Sequence, residues 1–330
     1  MTRVLGGDIG GTKTILRLVE GLGADSKIIA EEKYESQPYS HLNPIVEDFL
    51  NGDTTPIDSA CFAIAGPVGD NKSKLTNLSW ELDATQMSAH LNIPTVNLIN
   101  DFAAVGYGIL CLQPDDLDVI QERTAKPEAP IAIIGAGTGL GEALMVWNSG
   151  RYDVLPTEGG HADFAPSSDL EIGLLKYLRQ RHGHVSVERV VSGQGIYSIY
   201  EYLRDTHVFP ENSEVRSQLE DTETKGAVIS QYGLSGQDDM CETTINTFVS
   251  AYGAEAGNIA LKSLAYGGIY LAGGIAAKLG DKMHSPLFIN SFLDKGRMRP
   301  LLEKMPVSII SNPKVGLMGA VYYAQRDLNP

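Results

Sequence analysis

The sequence has few cysteines and no long apolar run, and both shortages limit what the protein can be. Its three cysteines, Cys61, Cys111 and Cys241, are odd in number and widely spaced, which argues against a metal site or a redox pair. No stretch approaches the roughly 18 consecutive apolar residues of a membrane helix. The first residues also lack the basic-then-apolar pattern of a secretion signal. We therefore expect a cytoplasmic protein that does not interact with membranes.

Positive charge is also scarce. The chain has 26 Lys and Arg against 41 Asp and Glu, a net charge of -15, which argues against nucleic acid as a partner. A nucleotide substrate is still allowed, because backbone N–H groups and a bound metal can supply local positive potential. The 43% hydrophobic residues are typical of a globular protein, and 330 residues exceed one ordinary core. Two lobes are therefore expected.

One motif occurs twice. The first copy is an apolar strand, residues 4–9, that enters the glycine-rich turn GGT and returns as the alternating strand TILRLV, residues 14–19. The second is IAII, then GAGTGLG at residues 135–141, then EALMV. Each copy predicts a β-hairpin whose glycine-lined tip lets backbone N–H groups approach an anion closely. The duplication indicates two related lobes.

The remaining pattern is alternating strands and helices. Strands are predicted at residues 59–65, 96–99 and 269–272, and helices beyond Phe102 and at residues 169–181, 245–264 and 315–325. Asn100 and Asp101 therefore lie at a strand-to-helix junction, where a side chain can point into a cleft. Residues 113–130 are predicted to connect the lobes, and residues 205–239 show only weak patterning. We expect a small lobe of residues 1–111 plus about 312–330, and a large lobe of residues 112–311.

Neither common nucleotide-binding turn fits the two hairpins. A P-loop requires Gly-Lys-Ser/Thr before a helix, whereas Gly11 precedes Thr12-Lys13 and a strand. A dinucleotide fingerprint fails because Leu140 holds the third glycine position. The turns offer Asp8, Thr12 and Thr138, and such groups suit phosphate oxygens and a hydrated magnesium ion. Two purely structural hairpins are the alternative, which the duplication makes less favourable.

Six motifs occur in an order that resembles the bacterial glucokinase family, within the hexokinase and actin-like ATPase superfamily. They are DIGGT at residue 8, NDF at 100, GAGTGLG at 135, EGGH at 158, ERVVSG at 188 and AGGI at 272. The resemblance implies an α/β fold of two ribonuclease H-like lobes around a central cleft. It also implies ATP-dependent phosphorylation of D-glucose at the 6-hydroxyl, and it favours a homodimer.

The same resemblance implies roles for individual residues. Asp101 would be the catalytic base, and Asp8 would hold Mg²⁺ through water. The glucose-binding residues would be Asn77, Asn100, Asp101, Glu158, His161 and Glu188. The ATP-binding residues would be Asp8, Gly10, Gly11, Thr12, Gly137, Thr138, Gly139, Gly273 and Gly274. Without the resemblance, Asn100 and Asp101 could equally be helix caps.

Three alternatives stay open on the sequence. The protein could phosphorylate another hexose or an N-acetylhexosamine, it could be a non-catalytic sugar sensor, or it could form actin-like filaments. Sugar sensors commonly add a DNA-binding segment, for which we expect no room before the strand that begins at Val4. The sequence lacks the Cys/His zinc cluster of the related repressor–kinase (ROK) family, which favours the glucokinase branch.

Overall fold

The computed structural model describes residues 2–23, 26–75, 78–326 and 328. They form two compact units, which we call unit 1 (Met1–Asp116 and Asn312–Pro330) and unit 2 (Leu117–Ser311). None of the helices in the described part of the chain has the length and apolar character that crossing a membrane requires. Each unit is organised around its own β-sheet.

The strands and helices alternate along much of the chain. The strands are β1 Arg3–Ile9, β2 Lys13–Glu20, β3 Lys27–Glu35, β4 Ser59–Ile64, β5 Val68–Gly69, β6 Lys72–Leu75, β7 Trp80–Asp83, β8 Thr95–Asn100, β9 Leu117–Gln121, β10 Ile131–Ala136, β11 Leu140–Asn148, β12 Arg151–Thr157, β13 Gly268–Ala272 and β14 Val307–Ile310. The helices are α1 Leu42–Leu50, α2 Ala84–Leu91, α3 Asp101–Ile109, α4 Asp169–His182, α5 Gly193–Asp205, α6 Ser213–Glu220, α7 Lys225–Leu234, α8 Asp239–Ser263, α9 Gly274–Leu279, α10 Asp281–His284, α11 Pro286–Leu293, α12 Arg299–Leu302 and α13 Val315–Arg326.

The main sheet of unit 1 has the strand order β3-β2-β1-β4-β8. β1 and β2 form the predicted antiparallel hairpin, and β1, β4 and β8 run parallel. All six residues of β4 are buried, as expected for a central parallel strand covered on both faces. The ends of β1 and β8 are therefore separated by one strand and lie at the same edge, which places Asp8 and Asp101 in one region.

The sheet of unit 2 repeats this arrangement. β12, β11, β10, β13 and β14 follow the same order and directions, and β9 pairs antiparallel with β14 at the edge. The similarity of topology agrees with the sequence duplication. The stretch of residues 113–130, predicted to connect the lobes, also contains β9, an edge strand of this sheet that the sequence did not predict. Its short length and lack of clean alternation hid it in the sequence.

Close backbone contacts attach α13 to the main sheet and α3 of unit 1. A Cβ atom on Gly319 would collide with the backbone carbonyl of Ala104, and one on Gly6 would collide with Val321. These glycines let α13 lie directly on α3 and β1. A small buried cluster of Val4, Cys61, Ala104, Ala320 and neighbouring side chains fills this contact.

The weakly patterned stretch of residues 205–239 contains two short helices, α6 and α7. Both pack in the core of unit 2 through a few apolar residues, among them Val215, Leu219 and Ile229. The long helix α8 begins earlier than expected, because the Asp238 carboxylate caps it by accepting a hydrogen bond from the Cys241 N–H at 2.7 Å. Of these three helices, α7 contributes residues to one wall of the cleft described below.

Candidate active site

The tip of the β1–β2 hairpin is held by its own hydrogen bonds. The Gly10 N–H donates to the Lys13 carbonyl at 2.9 Å, and the Ser36 hydroxyl donates to the Gly10 carbonyl at 2.9 Å. The Ser36 N–H donates to the Thr12 carbonyl at 2.9 Å. Gly10 therefore shapes the tip with its N–H, while the Thr12 side chain is exposed and can reach a ligand.

Asp8 lies near the end of β1 and is half-buried. Burial raises its pKa to about 6, and the negative charge of Asp101 adds to this rise. Burial also raises the pKa of Asp101, and hydrogen bonds to its carboxylate partly oppose this rise. The two carboxylates thus form a pair of like charge, a site that a cation would stabilise.

Asn100 and Asp101 occupy the start of α3. The Asn100 side chain caps the helix: its Oδ1 accepts hydrogen bonds from the N–H groups of Phe102 and Ala103, at 2.9 and 3.2 Å. Its Nδ2 donates to the Gly66 carbonyl at 3.1 Å. Asp101 Oδ1 accepts from the Phe102 N–H at 2.8 Å, which fixes this carboxylate at the helix N-terminus. The capping function is therefore present for Asn100, and it positions Asp101.

The tip of the second hairpin, β10–β11, is also closed by backbone bonds. The Gly137 N–H donates to the Gly139 carbonyl and the Gly193 N–H donates to the Gly137 carbonyl, both at 2.8 Å. The Leu140 N–H donates to Glu188 Oε2 at 2.9 Å. A Cβ atom on Gly139 would collide with the same carboxylate oxygen. Glu188, expected to bind glucose, therefore contacts the hairpin expected to bind phosphate.

A cleft of about 920 Å³ opens beside this hairpin, entirely within unit 2. It is lined by Gly137, Thr138 and Gly274, three of the residues predicted to bind ATP. Gly273, the residue before Gly274, has a φ of 82°. A Cβ atom at this position would collide with the Ala136 carbonyl, so only glycine fits this turn. The structure thus brings the second hairpin and the AGGI motif together.

Several residues of the cleft were not predicted from the sequence. Four are cationic, against two acidic lining residues, Glu201 and Glu223, so the cations are in excess; with an aromatic ring and an amide the unpredicted residues are Arg181, Arg189, Lys225, Lys278, Tyr197 and Gln231. The Lys225 ammonium lies 4.4 Å from the centre of the Tyr197 ring. A triphosphate needs such a locally positive surface in an acidic protein. Arg189 lies in the ERVVSG motif, but no motif marks the other five positions, because they converge only when α4, α5, α7 and α9 pack.

The Glu158–His161 segment forms an exposed turn after β12. Gly159–His161 is a single 3-10 turn, and the Glu158 and His161 side chains are 90% and 62% exposed. Their nearest carboxylate and imidazole atoms, Oε2 and Nε2, are 3.9 Å apart. Such a pair can accept and donate hydrogen bonds to adjacent hydroxyl groups. The predicted residue Asn77 lies outside the described residues.

Comparison with known proteins supplies the family. A family model described as Glucokinase matches residues 5–327. A glucokinase from Trichormus variabilis is 51% identical over 99% of this chain and 100% of its own length. The chain belongs to the glucokinase family. The family resemblance inferred from the six motifs is thereby confirmed.

Solved structures agree on the fold. The crystal structure of a glucokinase from an Antarctic psychrotroph has a TM-score of 0.89 at 29% identity, with 99% of each chain covered. A ROK family glucokinase from Streptomyces griseus has a TM-score of 0.64 at 21% identity, with 98% of this chain and 99% of that chain covered. The expected α/β fold of this superfamily is confirmed.

Proposed function

We propose that this protein is a glucokinase, which transfers the terminal phosphoryl group of ATP to the 6-hydroxyl of D-glucose. The observation that carries the proposal is the pairing of Asp101 with Asp8 at the edge of the unit 1 sheet, in a member of the glucokinase family. One carboxylate suits a catalytic base and the other suits a metal, and phosphoryl transfer to a hydroxyl uses both.

Asp101 is proposed to accept the proton of the sugar 6-hydroxyl as that oxygen attacks phosphorus. A hydroxyl is a weak nucleophile at neutral pH, so a positioned carboxylate promotes the attack. The hydrogen bonds from Phe102 and the capping by Asn100 keep the Asp101 side chain in one place and favour its ionised form. Positioning is the main contribution that a protein makes to phosphoryl transfer.

Asp8 is proposed to hold Mg²⁺, which would neutralise charge on the phosphates. Across residues 2–23, 26–75, 78–326 and 328, no three His, Cys, Asp or Glu side chains converge on a possible metal site. Mg²⁺ in kinases is usually bound by one or two carboxylates with waters and substrate phosphates. The half-buried Asp8, whose ionised form is destabilised beside Asp101, fits such a cation.

Unit 2 is proposed to supply the groups that recognise both substrates. The cleft beside Gly137, Thr138 and Gly274 would take the nucleotide, and its Arg and Lys side chains would balance the phosphate charge. Glu158, His161 and Glu188 would bind sugar hydroxyls, and Asn77 stays a prediction for the same role. Two proteins of similar fold have been solved with such ligands, which supports the proposal: a Balamuthia mandrillaris glucokinase is in complex with glucose, and the Streptomyces griseus protein is in complex with glucose and AMPPNP.

The test is an ADP-release assay with magnesium-ATP and a panel of sugars, each also run without sugar. Glucose-dependent turnover, with little activity on mannose, fructose or N-acetylated hexoses, is expected. Preferred turnover of another sugar would move the assignment to that substrate. Binding of glucose without turnover would identify a sensor and contradict the proposal.

We also propose that the enzyme acts in the cytoplasm as a homodimer, which follows from family membership alone. Light scattering after size-exclusion chromatography gives the mass directly. A mass close to the 35.6 kDa of one chain, at concentrations used for the assay, would contradict the dimer.

A further inference from the structure

Two buried glutamates outside the proposed site each have one side-chain oxygen without a hydrogen-bond partner among the described residues. Glu142 on β11 and Glu255 on α8 are each 5% exposed. In both, Oε1 is buried and has no hydrogen-bond partner in the described part of the chain. Burying a carboxylate in this state is costly, so a pair of them invites a functional explanation.

The surroundings of Glu142 favour its protonated form. Glu255 Oε2 accepts a hydrogen bond from Asn258 at 2.9 Å, and the largely exposed Lys262 ammonium lies 3.8 Å from Oε1. Burial, with repulsion from Glu255, raises the pKa of Glu142 to about 7, and Lys262 opposes the rise. Two further ionisable groups face the pair: the buried Tyr252 phenol faces Glu142, and the half-buried Lys295 faces Glu255. Near neutral pH, Glu142 therefore alternates between its neutral and charged forms.

Glu142 is in direct contact with the turn proposed to bind sugar. It pairs with Thr157 across β11 and β12. The Thr157 hydroxyl donates to the Glu142 carbonyl at 3.0 Å and accepts from the Gly159 N–H at 3.1 Å. Glu142 Oε2 occupies the space that a Cβ on Gly159 would need. The carboxyl group of Glu142 therefore packs against the turn at Gly159, the residue that follows Glu158.

We propose that Glu142 is a positioning residue whose neutral form holds the Glu158–His161 turn in its sugar-binding arrangement. The proposal rests on the proposed function in one respect, namely that this turn binds glucose. When Glu142 loses its proton, a second negative charge lies beside Glu255 in a poorly solvated site. Glu142 moves away from Glu255 to relieve the repulsion, and it displaces Gly159. The affinity for sugar therefore falls as the pH rises through neutrality.

The first experiment compares the pH dependence of the two Michaelis constants. In the unsubstituted enzyme, KM for glucose should rise about threefold or more between about pH 6 and about pH 9, more than KM for magnesium-ATP. Glu142→Gln stays neutral with nearly the same shape, so its KM for glucose should remain low and flat. Glu142→Ala leaves Gly159 unsupported and should raise KM about tenfold at every pH, with a smaller effect on kcat. Glu242→Gln, on the same helix as Glu255 but paired with Lys282, is the control and should follow the unsubstituted enzyme.

The second experiment does not depend on sugar. Hydrogen exchange of residues 157–162 is measured in the ligand-free protein, after correction for the intrinsic pH dependence of exchange. Faster exchange in Glu142→Ala, and in the unsubstituted protein at high pH but not in Glu142→Gln, supports the positioning role. Exchange that is the same in all three proteins overturns it. If exchange changes as expected while no sugar is phosphorylated, the positioning role stands and the proposed function fails.

Discussion

Glu188 accepts a hydrogen bond from the backbone N–H of Leu140 at 2.9 Å, and this bond joins two parts of the proposed site that the sequence separates. Leu140 begins β11, directly after the hairpin tip assigned to phosphate. Glu188 lies in a 3-10 turn and is assigned to glucose. A carboxylate held by a backbone donor keeps a fixed direction, so a shift of the tip changes where the carboxylate points. Nucleotide and sugar binding are therefore expected to influence each other through this contact.

Substitution of the tip glycines tests this coupling. In Gly139→Ala the new methyl group collides with Glu188, whereas in Gly137→Ala it enters open space. We expect Gly139→Ala to raise KM for both glucose and ATP, by about tenfold or more. Gly137→Ala should affect ATP alone, because its methyl group faces the cleft. Steady-state kinetics with each substrate varied in turn gives the four constants, and an unchanged glucose constant in Gly139→Ala would contradict the coupling.

Replacement of the proposed base should separate chemistry from binding. Asp101→Asn preserves the size of the side chain but is a very poor proton acceptor, so kcat should fall by about a thousandfold. The dissociation constant for glucose, measured by calorimetry, should change by less than about threefold because the amide can still bind a hydroxyl. Asp115 is an exposed residue of unit 1, so Asp115→Asn is the matched control. It should leave kcat and the dissociation constant for glucose unchanged. Near-normal turnover in Asp101→Asn would remove this residue from the role of base.

The charge of Asp8 should lower the free energy of unfolding, although the same carboxylate is proposed to be needed for activity. Its pKa is about 6 in the folded protein against an ordinary 3.8, so the folded state binds the proton more tightly. The cost of its charge is absent below about pH 4 and is complete above about pH 6, where it approaches about 3 kcal/mol. Asp8→Asn should therefore raise the melting temperature at neutral pH, by a margin that disappears as the pH falls towards 4.

The activity of the same variant should change in the opposite direction. Asp8→Asn is expected to raise KM for magnesium-ATP strongly, because an amide is a weaker magnesium ligand than a carboxylate. In the unsubstituted enzyme this constant should rise as the pH falls through about 6, where Asp8 becomes protonated. Thermal melting in the absence of ligand, compared with Asp115→Asn, checks the stability effect. A gain that is equal at about pH 4 and about pH 7 would show that the charge of Asp8 is not its cause.

The close packing of α13 predicts that alanine substitutions at two glycines of this helix will have very different effects on stability. Gly319→Ala places a methyl group against the Ala104 carbonyl and should destabilise unit 1 by about 2 kcal/mol or more. In Gly316→Ala the new methyl meets its nearest neighbour, an Asp8 oxygen, at an ordinary 3.8 Å. That variant should retain or slightly gain stability, since alanine favours helix. Urea unfolding followed by circular dichroism compares the two, and equal stabilities would contradict the proposed packing.

The sequence predicted the parts of this molecule that depend on local pattern. Both hairpins, the junction at Asp101 and helices α4 and α13 follow from alternation, glycine clusters and helical periodicity. The individual roles of Asp8 and Asp101 stay predictions, although the two are close enough for the charge of Asp101 to raise the pKa of Asp8. The sequence also left two functions open for Asn100, and the structure shows that its side chain caps α3.

Local sequence patterns could not predict the contacts between segments that are distant in the chain. The cationic wall of the cleft comes partly from α7, whose short sequence with two glycines has little helical signal of its own. The pair of Glu142 and Glu255 requires a strand and a helix that are far apart in the chain to pack together. In the sequence each is an ordinary charged residue in an amphipathic element. Their burial is a property of the tertiary structure alone.

The position of α13 also has a consequence for biosynthesis. This helix covers β1 and β4, yet it follows the whole of unit 2 in the chain. While the ribosome is still translating unit 2, the apolar face of β1 and β4 has no cover from α13, and unit 1 remains incomplete. Unit 2 is continuous and can close its core first. The nascent chain therefore has an interval in which unit 1 is most exposed to chaperones, proteases and misassociation, and the synthesis of α13 ends that interval.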